Sequence, residues 1–324
     1  MTHSTEKRNL EFVGIDIAKG KFDICLGSDN KKHSMSNSIQ GFRQLITLLP
    51  NPNESIIVLE PTGGYEKNVI VFLQKNSYRV VLANALKVRR YAEAMGFFAK
   101  NDPIDSYVIK SFGEDLYPKG KLAVLTPKSD DFRKLESWLN RSRQIVKLLT
   151  SEKNRLDKTS DKDITTSIKR IIRSLEKELT LIENKLEKIS DQCQLSGQAE
   201  TFKQVKGIGK VCSKALVIYL PELGKFSHSK IAALVGVAPY CHDSGKHKGK
   251  SKIKGGRKTL RGLLYMGTLS AIKHNPVIKS FYDRLMGKGK HHNVAMVACI
   301  KKLLRILNAM AQNGTPWQEN YGIK

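Results

Sequence analysis

The chain has 324 residues, with 56 lysines and arginines against 30 aspartates and glutamates, a formal net charge of +26. Hydrophobic residues make up 40%, enough to pack a core over two ordinary domains and a connector, which excludes wholesale disorder. So large a cationic excess is of no use to an enzyme of small molecules. It suits a polyanionic partner, because each neutralised phosphate releases a condensed counterion.

The N-terminal part alternates strand and helix patterns. Residues 12–19 (FVGIDIAK), 22–28 and 32–38 read as three short strands joined by tight turns, 41–49 as a helix, and 55–60 (SIIVLE) as a buried strand. A helix over 65–75, a strand over 79–84 and a helix over 104–112 follow. A meander of three strands, then helix, strand, helix, strand, helix, is the order of an RNase H-like α/β layer. After Pro127 no proline occurs until Pro221. Apolar residues recur at three- and four-residue steps from Phe132 to Leu149 and again from Ile164 to Ile189, with a polar break between. That pattern predicts a helical hairpin with a coiled-coil seam, read here as an arm for self-association rather than one packed only on its own domain. A compact helical region follows Gly197. In it FKQVKGIGK, residues 202–210, resembles a helix-hairpin-helix turn, although Gly-Ile-Gly serves equally as a plain turn between helices. A last helix over 294–310 carries an apolar stripe. The expected fold is α/β plus α. An RNase H-like domain covers 1–126, a helical hairpin 127–195 and a mainly helical domain 196–324.

The five cysteines, Cys25, Cys193, Cys212, Cys241 and Cys299, are scattered and form no CxxC pair. That argues against a disulfide framework or a structural zinc site and for a reducing cytosol. The first residues, MTHSTEKRNLEF, contain no apolar signal core, and no apolar run is long enough to span a bilayer. A cytoplasmic protein with no membrane partner is expected.

Four acids stand out by position. Asp16 lies in the first strand pattern, Glu60 ends the fourth, and Asp102 and Asp105 flank the start of a helix in Asn-Asp-Pro-Ile-Asp-Ser. In an RNase H-like layer these positions converge at one edge. Four carboxylates there repel one another unless divalent cations, Mg²⁺ or Mn²⁺, sit between them and clamp a phosphodiester. The plainer reading makes Asp102 an N-cap and Asp105 a first-turn acid favoured by the helix dipole. Asp16 resists it, because a lone charge in an apolar strand is expensive to bury. Asp23, in the second strand pattern, reads as an exposed acid.

From Cys241 to Arg261 the sequence CHDSGKHKGKSKIKGGRKTLR sets Lys246, Lys248, Lys250, Lys252, Lys254, Arg257, Lys258 and Arg261 against one acid, Asp243. Its glycines let a backbone approach a phosphate closely. The segment GKHKGKS misses a P-loop by one residue and has no strand before it, which excludes an NTPase of that kind. Ser244 sits among these cations. A hydrogen bond to phosphate is the ordinary role of such a hydroxyl; attack on phosphorus is the other.

VGIDIAK, LEPTGGYE, NDPIDSYVI and GVAPYCHDSGKHKGKSKIKGGRKTLRGLLYMGTL, in that order, resemble the transposases of insertion-sequence family one-ten over nearly the whole chain. The resemblance implies a RuvC-like domain whose DEDD set is Asp16, Glu60, Asp102 and Asp105, and a transposase domain whose nucleophile is Ser244. It also implies Mg²⁺ (or Mn²⁺), donor and target DNA, a guiding non-coding bridge RNA, and a homo-oligomer, dimer or tetramer. Two other readings compete. A structure-specific nuclease would use the carboxylates without Ser244. A non-catalytic nucleic-acid-binding protein would need neither.

Overall fold

The structure, a computed structural model, describes residues 10–97, 102–192, 196–241 and 251–318. It divides into two compact units, Met1–Lys128 and Ser129–Lys324.

The first unit opens with an antiparallel meander, β1 (Glu11–Ile17), β2 (Lys21–Leu26) and β3 (Lys31–Ser36). Then come α1 (Ile39–Leu48), β4 (Ser55–Leu59), α2 (Lys67–Lys75), β5 (Arg79–Leu82), α3 (Ala85–Ala94) and α4 (Asp102–Leu116). The five strands form one mixed sheet in the order β3-β2-β1-β4-β5, with β4 parallel to β1 and β5 parallel to β4. This is the order of elements read from the sequence, with α3 added. The pattern of α3 is faint because its core contact is small: among its charged residues Val88 alone is buried.

Side chains alternate across the sheet and so divide between two cores. Val13, Ile15 and Ile17 of β1 and Ile57 and Leu59 of β4 join Phe42 and Leu45 of α1 and Val69 and Leu73 of α2 on one face. Phe12 of β1 and Ile56 and Val58 of β4 join Val88 of α3 and Val108, Ile109 and Phe112 of α4 on the other. The crossing of α4 over β1 is at main-chain contact. A Cβ on Gly14 would lie 2.1 Å from the Ser106 carbonyl oxygen and 2.4 Å from the Lys110 nitrogen. Nearer the end of α4, a Cβ on Gly113 would meet Val58 Cγ2 at 2.6 Å and Phe12 Cδ1 at 3.2 Å. The helix therefore runs against β1, from Ser106 over Gly14 to Gly113 over Phe12. Its first turn points toward the C-terminal end of the strand.

The second unit is helical: α5 (Asp130–Leu156), α6 (Lys162–Gln192), α7 (Ser196–Lys203), α8 (Lys210–Tyr219) and α9 (His228–Val235). A short ribbon of β6 (Pro239–Tyr240) and β7 (Lys252–Ile253) precedes α10 (Lys258–His274), α11 (Pro276–Gly287) and α12 (His292–Asn313). Ser129 caps α5, with Asp130 and Asp131 in its first turn and Lys153 and Arg155 in its last, as the helix dipole favours. The hairpin of α5 and α6 is present, and its helices pack along each other. Leu135, Leu139, Ile145, Ile182 and Leu186 belong to the same core as α7 to α12, with Leu175 and Leu179 packed against it. The seam read from the spacing is thus filled within the chain, since two stripes of one chain meet without any cost of association. Val146, Leu148, Ile164, Ile171 and Leu181 remain exposed on the hairpin. Among the described residues no helix is long and apolar enough to cross a membrane.

Candidate active site

Parity and register bring two of the four predicted carboxylates together. Asp16 continues the row Phe12–Gly14 on the face of β1 that α4 covers. Glu60 continues the row Ile56–Val58 of β4 on the same face. The parallel ladder pairs Gly14 with Val58 and Ile15 with Leu59, so Asp16 and Glu60 stand one step beyond its last pair, at the ends of adjacent strands. Both are half-buried. Asp105 lies one residue before Ser106, in the part of α4 that leads beyond Gly14 toward Asp16. Asp102 is the first residue of α4; its side chain lies outside the described residues.

A fifth acid joins this face. Asp23 of β2 is directly opposite Asp16 in the antiparallel ladder, and opposed residues point to one side. Its side chain is 16% exposed and pairs with Lys21 Nζ at 3.1 Å. The expectation of an exposed acid is corrected here. The alternation of Phe22, Asp23 and Ile24 was the available signal, because it puts Asp23 on the face away from Phe22 and Ile24, both wholly buried.

The turn after Glu60 is built around another buried acid. Glu66, 8% exposed, accepts hydrogen bonds at Oε2 from the backbone N–H groups of Thr62 (3.0 Å) and Gly64 (2.9 Å). Between them Gly63 and Gly64 take φ of 66° and 110°, which a side chain would resist. The Asn37 amide donates to the Ala18 carbonyl at 3.0 Å and the Tyr65 carbonyl at 3.3 Å. One side chain so ties the turn that follows Asp16 to the turn that follows Glu60.

Asp16 and Asp23 face each other across a β-pair, where Cβ atoms lie about 4.5–5.5 Å apart and like charges destabilise. Asp16, Glu60, Asp102 and Asp105 offer only carboxylate oxygens, the hard donors that Mg²⁺ and Mn²⁺ select. In donor chemistry the residues fit such an ion. Among the described residues no three His, Cys, Asp or Glu side chains are grouped to hold a metal.

In the second unit, Ser244 and the lysines Lys246, Lys248 and Lys250 lie outside the described residues. The stems of their loop are described. Pro239 pairs with Ile253 and Tyr240 with Lys252 in the β6–β7 ribbon, where Lys252 is exposed, as are Lys254 and Lys258 beyond it. Arg257 and Arg261 are engaged inside the unit. Arg257 grips both oxygens of Glu222 at 2.6 Å each and the Tyr219 carbonyl at 2.8 Å. Arg261 donates to the carbonyls of Gly236 (3.0 Å) and Gly255 (2.7 Å). Those bonds fasten the segments that flank residues 242–250, while Lys252, Lys254 and Lys258 stay exposed. Burial pushes the Cys212 thiol up to about 12 and the Cys299 thiol up to about 11, so neither is a thiolate nucleophile near neutral pH.

Two family models match the chain in succession. One, described as a transposase of the DEDD type of IS110, covers residues 13–162; the other, described as the transposase IS116/IS110/IS902 family, covers residues 199–283. The pilin gene-inverting proteins of Moraxella lacunata and Moraxella bovis are each 27% identical over 321 residues, spanning 95% of this chain and 98% of theirs. Among solved structures, T. thermophilus RuvC in complex with a Holliday junction substrate aligns at 11% identity and a TM-score of 0.29. That alignment covers 36% of this chain and 99% of RuvC.

Proposed function

We infer from the two successive family models and the full-length relatives that the chain is a transposase of the IS110 family and acts as a DNA recombinase. From that premise we propose that it cuts and rejoins DNA through a covalent link between Ser244 and a strand end, with Asp16, Glu60, Asp102 and Asp105 holding Mg²⁺ or Mn²⁺. One observation carries the carboxylate half of this reading: Asp16 and Glu60 end adjacent parallel strands on the face that α4, beginning at Asp102, covers. The strand order β3-β2-β1-β4-β5, with its antiparallel meander and two parallel additions, supports an RNase H-like, RuvC-like assignment for residues 1–126. The hairpin, 127–195, and the transposase domain, 196–324, complete the proposed organisation.

A bound divalent ion supplies Lewis-acid neutralisation of phosphate charge. The chain's own groups do the rest. Glu66 and Asn37 fix the turns that follow Glu60 and Asp16, so that the carboxylates meet a phosphate already in position. Lys246, Lys248, Lys250, Lys252, Lys254 and Lys258 hold the DNA backbone and lower the charge around the scissile phosphorus. The Ser244 hydroxyl gives its proton to a base, and its oxygen bonds to phosphorus as the bond from phosphorus to one sugar oxygen breaks. That oxygen leaves as a protonated hydroxyl. The phosphoserine ester keeps the bond energy that hydrolysis would discard, and attack by a new strand's hydroxyl returns Ser244.

The same reading includes a bridge RNA that pairs with donor and target DNA, a homo-oligomer, dimer or tetramer, and action in the cytoplasm on the nucleoid. The net charge of +26 supports a large polyanionic load. The experiment is denaturing electrophoresis of protein incubated with end-labelled DNA, followed by peptide mapping. The wild-type chain forms an adduct at Ser244, and Ser244→Ala binds DNA but forms none. An adduct that persists in Ser244→Ala, or maps to a tyrosine, overturns the assignment. Cleavage without any adduct makes the protein a hydrolytic nuclease.

A further inference from the structure

The C-terminal helices carry charge that the fold itself does not answer. From Ser244 to Gln318 the sequence has sixteen lysines and arginines and one acid, Asp283. Most of these cations therefore have no local carboxylate to pair with. Two of them are gathered around one ring, with a third close by. Phe281 of α11 packs against the core of the unit. The Arg284 guanidinium carbon lies 5.2 Å from its centroid and the Lys302 Nζ, from α12, 4.7 Å. Arg305 stands one turn beyond Lys302 on the same helix. Among the described residues none of the three forms an ion pair, nor does Asp283. Burial first, then Arg284 and Arg305, hold the Lys302 ammonium below its ordinary pKa, a sign of how closely the like charges crowd.

We propose that Arg284 and Lys302, which flank Phe281, and Arg305, one turn beyond Lys302, form a binding site on α11 and α12 for the backbone phosphates of a nucleic acid. Cation–π contact with one phenyl ring offsets only part of the repulsion among three cations. A phosphodiester answers the remainder, and the two guanidinium groups suit its paired oxygens better than ammonium groups would. The ring pre-positions the arm of Arg284 and that of Lys302, so less side-chain freedom is lost on binding. Lys288, one turn after Arg284, extends the stripe along α11. The three cations lie beyond residues 13–162 and 199–283, the parts matched by the family models. The site depends neither on Ser244 nor on the carboxylates.

The test uses the full chain and two probes, a random-sequence DNA duplex and a structured RNA of equal length, each titrated by fluorescence anisotropy over a range of salt. A variant carrying Arg284→Gln, Lys302→Gln and Arg305→Gln should flatten the log–log salt dependence on duplex DNA by about 0.9 per lost phosphate contact, so by roughly 2–3 in total. Each single substitution should flatten it by about 1. A control with the same loss of charge on α6, Lys169→Gln, Arg170→Gln and Lys177→Gln, should change it far less. Arg284→Lys with Arg305→Lys should keep most of the slope. Loss on DNA alone or on RNA alone names the occupant; loss on both supports the shared phosphate chemistry. A slope unchanged on both probes, or equal flattening by the α6 control, overturns the proposal. Circular dichroism melting checks folding, and if the triple variant is unstable the slopes of the single variants decide the question in the same way.

Discussion

In Met1–Lys128 the candidate groups are acids, and each sits where main chain fixes it: at a strand end, opposite a ladder partner, or in the first turns of a helix pressed onto the sheet. In Ser129–Lys324 they are cations, and the described segments on either side of residues 242–250 are fastened by side-chain chemistry, the Arg257–Glu222 pair and the Arg261 bonds to Gly236 and Gly255. On the proposed function the difference follows from what each would grip. A small divalent ion demands oxygens at fixed separation, which a sheet supplies. A phosphate backbone demands charge over a longer track, which a run of lysines in the sequence supplies.

The strongest way to break this contrast is to neutralise the acids one at a time. Asp16→Asn, Glu60→Gln, Asp102→Asn and Asp105→Asn should each lower strand cleavage by about 10²–10⁴-fold, as expected when several kcal/mol of metal-assisted charge stabilisation are lost. Nucleic-acid affinity should stay within a few-fold of wild type by anisotropy. Cleavage at the full rate in a chelator would remove the metal from the account.

A smaller effect separates backbone placement from mere acidity. Glu66→Ala leaves two turn N–H groups without their acceptor and should cost about 1–3 kcal/mol of the first unit's stability. It should also raise the Mn²⁺ concentration needed for half-maximal cleavage, with Glu66→Gln recovering part of both. If the metal requirement stays put while stability falls, the turn is scaffolding only.

The smallest effect tests the other unit. Burial of Glu222 favours its neutral form, but the Arg257 guanidinium and the residue's own backbone N–H outweigh it and hold the carboxyl below its ordinary value. A depressed folded pKa gives stability that is present above the unfolded value of about 4.3 and lost as pH falls through the folded one. At neutral pH, Glu222→Gln should lower stability by about 1 kcal/mol, a modest figure because the pair is partly exposed to water. The gap between variant and wild type in thermal melts should close below about pH 4. A gap that persists in acid would assign the effect to packing instead.

Much of the first unit was legible because its signals are periodic. Strand alternation in residues 12–28 and the apolar run 55–59 fixed the sheet, and parity then carried Asp16 and Glu60 to one face. Two things were not. Helix α3 buries only Val88 and leaves Leu86 exposed, so its apolar residues do not mark one core-facing stripe. Alternation put Asp23 on the face away from Phe22 and Ile24, but that α4 covers this face and that Asp16 stands opposite are non-local facts. In the second unit, composition pointed to phosphate binding between Cys241 and Arg261 but could not separate the arginines bound within the unit from the exposed lysines. The partner of Arg257, Glu222, lies 35 residues away on another element. The cations around Phe281 were invisible for the same reason, being divided between two helices.

Gly14 carries a consequence for how the protein tolerates change. Because only a hydrogen fits between β1 and α4, the separation of strand and helix is a main-chain distance, insensitive to which rotamers the surrounding core adopts. Neutral drift can repack the apolar residues on either face without altering the gap, but it cannot pass through alanine at position 14 without levering α4 outward. A graded series from Gly14 to Ala to Ser therefore amounts to a calibrated wedge. It would open the acidic edge in steps set by atomic radii, and would turn the rate of strand cleavage into a measure of how finely that spacing is tuned.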